Sequence, residues 1–384
     1  MNFSQTLAIS AKTRLLKEKG IDVINLSIGE PDFSPPSFIL EAAKKTIDQG
    51  HHYYTPVAGY LELREAVCEK FLRDNSLHYK PSQIVISTGA KQAISNLFLS
   101  LLNPGDKVII PSPFWVSYYE MANMCEARPV IIHTSINTDF KITPEQLEAA
   151  ISPRSKIFIF SSPCNPSGAT YSYDELKHLS EVFVKHPQLI IISDEIYEHI
   201  NYSSEYTSIG SFTEIYEQTV TLNGLSKAFA MPGWRVGYIG APEWLAKACE
   251  KVQGQITSGT NSITQQAACI ALKSHPNRIM YMIEAFKKRR DLVLDMIKQI
   301  PGFRSNIPNG TFYIFPNVAE IFGNTFLGVK ISNAYDLSKF LLEKAQVATV
   351  SGSPFGEENC LRISYAASEE ILKEAFKRIK RMLS

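Results

Sequence analysis

"KIFIFSSPCNPSGATYSYDELKHLSEVFVKHPQLIIISDEIY", residues 156–197, decides the architecture. Two short runs rich in isoleucine and phenylalanine bracket an amphipathic stretch, "YDELKHLSEVFVKH". Such runs read as strands buried on both faces, and the helical spacing between them reads as a covering helix. The unit recurs outward on both sides. "QIVIST" leads into "KQAISNLFLSLL"; "DKVIIPS", "RPVIIHT" and the helical "TPEQLEAAI" follow; "TVTLNG" and "WRVGYIGAP" come after the quoted stretch. Residues 80–240 therefore predict an α/β fold with a mostly parallel central sheet covered by helices.

Beyond residue 276 the alternation breaks. A long helical stretch, "PNRIMYMIEAFKKRRDLVLDMIKQI", is followed by "GTFYIFPNV", a helix near 335–345, "CLRISYA" and a terminal helix. This predicts a smaller α+β domain over 277–384, a large domain over 31–276, and an N-terminal segment, 1–30, that packs with the small domain. The boundary between the two domains is expected to run through a continuous helix.

Of the 384 residues, 45% are hydrophobic and 20% charged, and the formal net charge is +1. That composition supports a large core in two domains. Without a basic face or tail, nothing points to nucleic acid or an anionic membrane. The six cysteines form no CxxC pair, which predicts reduced thiols in a cytoplasmic protein. Neither a signal peptide nor a spanning run of apolar residues is recognised. HExxH, GxSxG and zinc-type Cys/His spacing are all missing, so no metal is expected.

Ligands of open α/β sheets collect beyond the carboxyl ends of the strands. Asp194 ends one strand, where it is either a helix N-cap or the partner of a cationic heterocycle. Tyr197 follows three residues later. Asn165 is held in a turn rich in proline and glycine. Gly89, Ala90 and Lys91 join a strand to a helix whose N-terminal N–H groups suit a phosphate. Trp115 suits stacking on a planar ring. Lys227 lies among small residues, where burial lowers an amine's pKa, and Arg235 stands in a glycine-flanked strand pattern. Arg362, within an apolar strand, requires either a structural carboxylate or a carboxylate ligand.

The segments "LSIGEPDF", "YYTPVAGYLELREAV", "STGAKQAISN", "PFWVSYYEM", "SSPCNPSGATY", "SDEIYEHI", "NGLSKAFAMPGWRVGYIG" and "LRISYAAS" occur in this order nearly end to end. The ordered set resembles the fold-type I, class I/II aminotransferases dependent on pyridoxal 5'-phosphate (PLP). "GAKQ", "FWVSYYEM" and "KAFAMPGWR" are similar to the prokaryotic-type (subgroup Ib) aspartate aminotransferases.

The resemblance implies roles. Lys227 would hold PLP as an internal aldimine and serve as general base and acid in ping-pong transfer of an amino group from L-aspartate to 2-oxoglutarate. Asp194 would pair with the ring nitrogen, Tyr197 and Asn165 would bind the ring oxygen, and Trp115 would stack on the ring. Arg235, Ser226 and the Ala90–Lys91 amides would hold the phosphate. Tyr54 would reach the phosphate of the neighbouring subunit, making a homodimer with shared sites. Arg362 and the Gly29 backbone would bind the substrate α-carboxylate, with Trp115 and Asn165 beside it, and Lys91 would read the distal carboxylate. An aromatic, kynurenine-type or prephenate aminotransferase, or a carbon–sulfur β-lyase, is the alternative reading.

The chain departs from the family pattern in three places. Cys164 replaces an asparagine, Gly224 stands where some relatives have a phosphate-binding serine, and the segment before "SQTLAISAK" is short, which is expected to weaken one dimer contact.

Overall fold

A computed structural model describes residues 5–203 and 205–384. Its strands are β1 (Ile24–Asn25), β2 (Ile84–Ser87), β3 (Lys107–Pro111), β4 (Arg128–Ile132), β5 (Ser155–Ser161), β6 (Ile190–Asp194), β7 (Thr219–Gly224), β8 (Gly237–Gly240), β9 (Tyr313–Ile314), the hairpin β10 (Thr325–Phe326) and β11 (Val329–Lys330), β12 (Val347–Ala348), β13 (Val350–Ser351) and β14 (Leu361–Ser364). Its α-helices are α1 (Gln5–Glu18), α2 (Ser37–Asp48), α3 (Leu61–Asn75), α4 (Ala90–Leu101), α5 (Val116–Met124), α6 (Pro144–Ala150), α7 (Tyr173–Val184), α8 (Glu243–Ile256), α9 (Ser262–Lys273), α10 (Met280–Ile297), α11 (Ala334–Phe340) and α12 (Glu369–Met382).

The central sheet has seven strands in the order β2-β8-β7-β6-β5-β3-β4. All its pairings are parallel except the two made by β8, which runs antiparallel to both β2 and β7. Strands such as β6, with Ile190, Ile191 and Ile192 buried, pack apolar side chains against helices on either face. One apolar cluster joins β3, β5 and β7 to α4, α5 and α8; another joins β3, β5 and β6 to α7. Burial at about 25 cal/mol per Å² is the main stabilising term for such layers.

β9, β13 and β14 form a second, antiparallel sheet, and β1 pairs in parallel with β12. The N-terminal segment thus crosses to the C-terminal part: Leu26 N–H donates to Ala348 O at 3.0 Å, and Ser364 N–H donates to Leu26 O at 2.8 Å. The largest apolar cluster runs without interruption from Ile84 and Tyr238 to Phe312, Ile363 and Phe376.

Near residue 277 the expectation of a continuous helix is corrected. α9 ends at Lys273, and His275–Pro276 open a separate 3₁₀ turn before α10. Proline lacks the N–H that an uninterrupted helix needs at that position.

Candidate active site

At the carboxyl edge of the sheet lies a cavity of about 330 Å³. Gly29, Ala90, Lys91, Trp115, Asn165, Asp194, Tyr197, Ser226, Lys227, Arg235 and Arg362 all line it. β2, β6 and β7 end there, delivering the start of α4, the Asp194–Tyr197 turn, and Ser226–Lys227. Trp115 precedes α5, and β14 brings Arg362 from the second sheet.

Arg235 does not stand inside a strand, as its glycine-flanked setting suggested. It is the left-handed residue, φ 56°, that precedes β8. Because β8 runs antiparallel, its start meets the carboxyl ends of its neighbours, with Gly237 opposite both Ser87 and Gly224.

Gly89 has φ 84° and ψ 158°, a region essentially restricted to glycine. A Cβ there would lie 2.2 Å from Arg235 Nη2. The guanidinium therefore lies directly against the start of α4, held by Nη1–H donating to Pro232 O at 2.8 Å. No side chain caps α4 at Gly89, so its first N–H groups face the cavity as anion donors.

Asp194 is buried, which pushes its carboxyl pKa up to about 6. Tyr118 on α5 opposes that shift, donating to Oδ2 at 2.5 Å, and Ile196 N–H donates to Oδ1 at 3.2 Å. No helix follows Asp194, so the N-cap alternative falls away. The Tyr197 hydroxyl lies 3.1 Å from that of Tyr313 on β9. Lys227 Nζ donates to Gly29 O at 2.6 Å. Desolvation lowers its pKa to about 8, against the opposing pull of Glu30 at the cavity wall.

Arg362 is 3% exposed and pairs with no carboxylate among the described residues. Its Nη1–H donates to Asn165 Oδ1 at 3.2 Å and its Nη2–H to Ser27 O at 2.9 Å, while Nε has no partner. The structural ion pair considered from the sequence is thus not formed. Lys91 Nζ lies 4.9 Å above the Trp115 ring, and burial followed by the nearby Arg235 lowers its pKa. With Lys91, Lys227, Arg235 and Arg362 against Glu30 and Asp194, the cavity favours anions.

Tyr54 lies elsewhere. It is 99% exposed and borders a surface recess with His52 and Ser262. Gly224 contributes nothing to the cavity; a Cβ there would meet Val236 O at 2.9 Å, so close pairing of β7 with β8 takes up the space. Cys164 also faces away, its thiol donating to Pro113 O at 3.3 Å. The short segment before "SQTLAISAK" is residues 1–3, which lie outside the described residues.

Sequence reading missed Tyr118, Tyr313, Glu30 and Phe355, which also line the cavity. Tyr118 carried a weak signal, one helical turn after Trp115. Tyr313 carried none, since its hydroxyl comes from a strand 116 residues from Tyr197.

A sequence profile described as aminotransferase class I and II matches residues 21–379. The bifunctional aspartate aminotransferase and glutamate/aspartate-prephenate aminotransferase of Petunia hybrida is 44% identical over 385 residues, covering 99% of this chain and 80% of its own. The crystal structure of the Rhizobium meliloti aspartate aminotransferase superposes with a TM-score of 0.97 at 41% identity, over 100% of this chain and 96% of that one. The Thermus thermophilus aspartate aminotransferase with maleate gives 0.94 at 39% identity, over 100% and 97%. The chain belongs to the class I and II aminotransferases, PLP-dependent enzymes of fold type I that act on amino acids and 2-oxo acids.

Proposed function

We propose that this aminotransferase moves the amino group of L-aspartate to 2-oxoglutarate. The observation that carries the reading is Arg362, a buried guanidinium with a free Nε and no carboxylate partner among the described residues, in one cavity with Lys91. A buried cation of this kind is stable only with an anionic partner, and an amino acid with two carboxylates engages both cations. The aspartate aminotransferase names of the Rhizobium and Thermus relatives, and the dicarboxylate maleate named with the latter, support it.

PLP fits the residues present. The open N–H groups of α4 with Arg235 and Ser226 would hold the phosphate, and Trp115 and Asp194, which line the same cavity, would face the ring. Asp194 would hold the ring nitrogen, Tyr197 and Asn165 the ring oxygen, and Lys227 the aldehyde carbon. Bound there, PLP supplies an electron sink for the substrate's Cα electrons. Once the substrate's amine has replaced it on the aldehyde carbon, the Lys227 amine, which lines the cavity, would take the Cα proton and return it. Arg362 and the Gly29 backbone orient the α-carboxylate. Lys91 reads the distal one.

Tyr54 is assigned to the partner's phosphate in a homodimer with shared sites, a role its full exposure supports. Residues 31–276 are taken as the cofactor-binding domain and 277–384 as the small domain. The N-terminal segment is grouped with the latter, on the β1–β12 pairing and the Lys12–Glu343 ion pair. The six free cysteines support a cytoplasmic location.

Prephenate is the second reading. The name of the Petunia relative and the aromatic lining by Trp115, Tyr313 and Phe355 favour it. A steady-state panel of amino donors with 2-oxoglutarate and with prephenate tests both readings. Aspartate should lead with 2-oxoglutarate. Phenylalanine outrunning aspartate, or release of pyruvate and sulfide from cysteine without transfer, would overturn the assignment.

A further inference from the structure

The Asp194–Tyr197 turn has a second face. Residues 194 and 197 line the cavity, whereas Glu195 and Glu198 contact the C-terminal end of α3. There Asn75 Nδ2 donates to Glu195 Oε2 at 3.0 Å and to Glu198 Oε2 at 2.6 Å. Its Oδ1 accepts from Lys70 Nζ at 2.6 Å, and the same ammonium is ion-paired with Glu198. Both N–H donors and the carbonyl oxygen of the amide are thus used, and a flipped amide would aim its carbonyl at two carboxylates. Ser193 and Ser208 hydroxyls complete Glu195, at 2.9 and 2.6 Å. Lys70, Asn75, Glu195, Glu198, Ser193 and Ser208 are all buried. Asp74, Glu198 and His199 bring ligand-type atoms within 4.8 Å of one another, but the Lys70 ammonium is already their cation.

We propose that Asn75 is a positioning residue: with Lys70 and Ser208 it clamps the reverse face of this turn and so sets where Asp194 and Tyr197 meet the cofactor. The inference rests on the reading of those two residues as cofactor ligands. Asp194 closes β6, where it pairs with Ser161 and Leu222, but residues 195–197 belong to neither helix nor strand, and the Asp194 carboxylate is held by Tyr118 and the Ile196 N–H. Burying several charged groups is costly, and apolar packing would stabilise the core at least as well. A clamp that fixes direction is what the polar arrangement adds, and small misplacements of reacting groups are expensive.

Asn75→Leu keeps the number and branching of the side-chain heavy atoms and removes all three bonds; Ser208→Ala removes one hydroxyl. For each holoenzyme, PLP dissociation, visible circular dichroism of the bound cofactor, the pH midpoint of its absorbance change and the melting temperature are measured. Asn75→Leu should weaken PLP binding about tenfold, the scale for losing a group that orients a ligand residue, and move both spectroscopic signals. Ser208→Ala should move them the same way by less. A purely structural role lowers the melting temperature alone, and that result overturns the proposal. If Asn75→Leu does not fold, Ser208→Ala decides: unchanged spectra and affinity sink the clamp, and shifted ones support it. A wild-type chain with no visible PLP band would instead overturn the functional reading, so the two failures are separable.

Discussion

Arg362 and Lys70 are both cations withdrawn from water, at 3% and 1% exposure, yet they sit in opposite situations. Lys70 is sealed on the reverse face of the Asp194–Tyr197 turn with Glu198 and Asn75 as partners. Arg362 opens on the cavity face, holding only neutral oxygens of Asn165 and Ser27. Desolvating a charge is costly, so a buried cation either brings its counter-ion in the fold or receives it as a ligand. The difference separates a structural site from a binding site more sharply than burial or charge taken alone.

Lys227 gives the largest test of this contrast. Lys227→Ala should lower transamination by at least about 10⁴-fold, the scale for removing a group that acts covalently. Borohydride treatment followed by peptide mass spectrometry should find the wild-type cofactor on Lys227; an adduct on another lysine would move the chemistry elsewhere.

Arg362→Ala and Lys70→Met set the two cations directly against each other. Loss of two charge-assisted bonds from Arg362 should cost roughly 10³-fold in kcat/KM for aspartate, with little change in melting temperature. Lys70→Met leaves the buried Glu198 without its ammonium partner and should cost about 3–5 kcal/mol in denaturant unfolding. If Arg362→Ala proved the less stable of the two and kept its turnover, the contrast would be wrong.

Lys91→Ala sharpens the open side. Selective loss of about 10–100-fold in kcat/KM for aspartate, with phenylalanine little changed, marks a reader of the distal carboxylate. Equal proportional losses would leave Lys91 as a cofactor ligand only.

The smallest effect is one of pH on the cofactor-free protein. Burial lowers the Lys227 pKa from 10.5 to about 8, so the folded chain resists its protonation. The resulting penalty is full below pH 8 and fades as pH rises toward 10.5, where the unfolded lysine also loses its proton. Lys227→Met should therefore melt higher than the wild-type apoprotein at pH 7, with the gap narrowing between pH 8 and 10.5. A constant gap across that range would remove titration of Lys227 as its cause.

Local pattern was enough for much of this molecule. Isoleucine-rich runs such as 190–192 and amphipathic stretches such as 173–184 expose their burial faces through periodicity, so the α/β sheet and its helices were legible. Cavity residues from Ala90 to Lys227 were legible too, because turn chemistry and strand ends place polar groups at one edge; Arg235 and Arg362 showed as cations in apolar settings, and Gly29 came only from the family resemblance that the ordered motifs supplied. The direction of β8 was not legible, and with it the reason why Arg235 reaches that edge. Tyr118 meets Asp194 across 76 residues, and Asn75 meets Glu195 across 120. Periodicity records which face of an element is buried. Which distant side chain completes a hydrogen bond there depends on how the elements pack, and only the tertiary structure decides that.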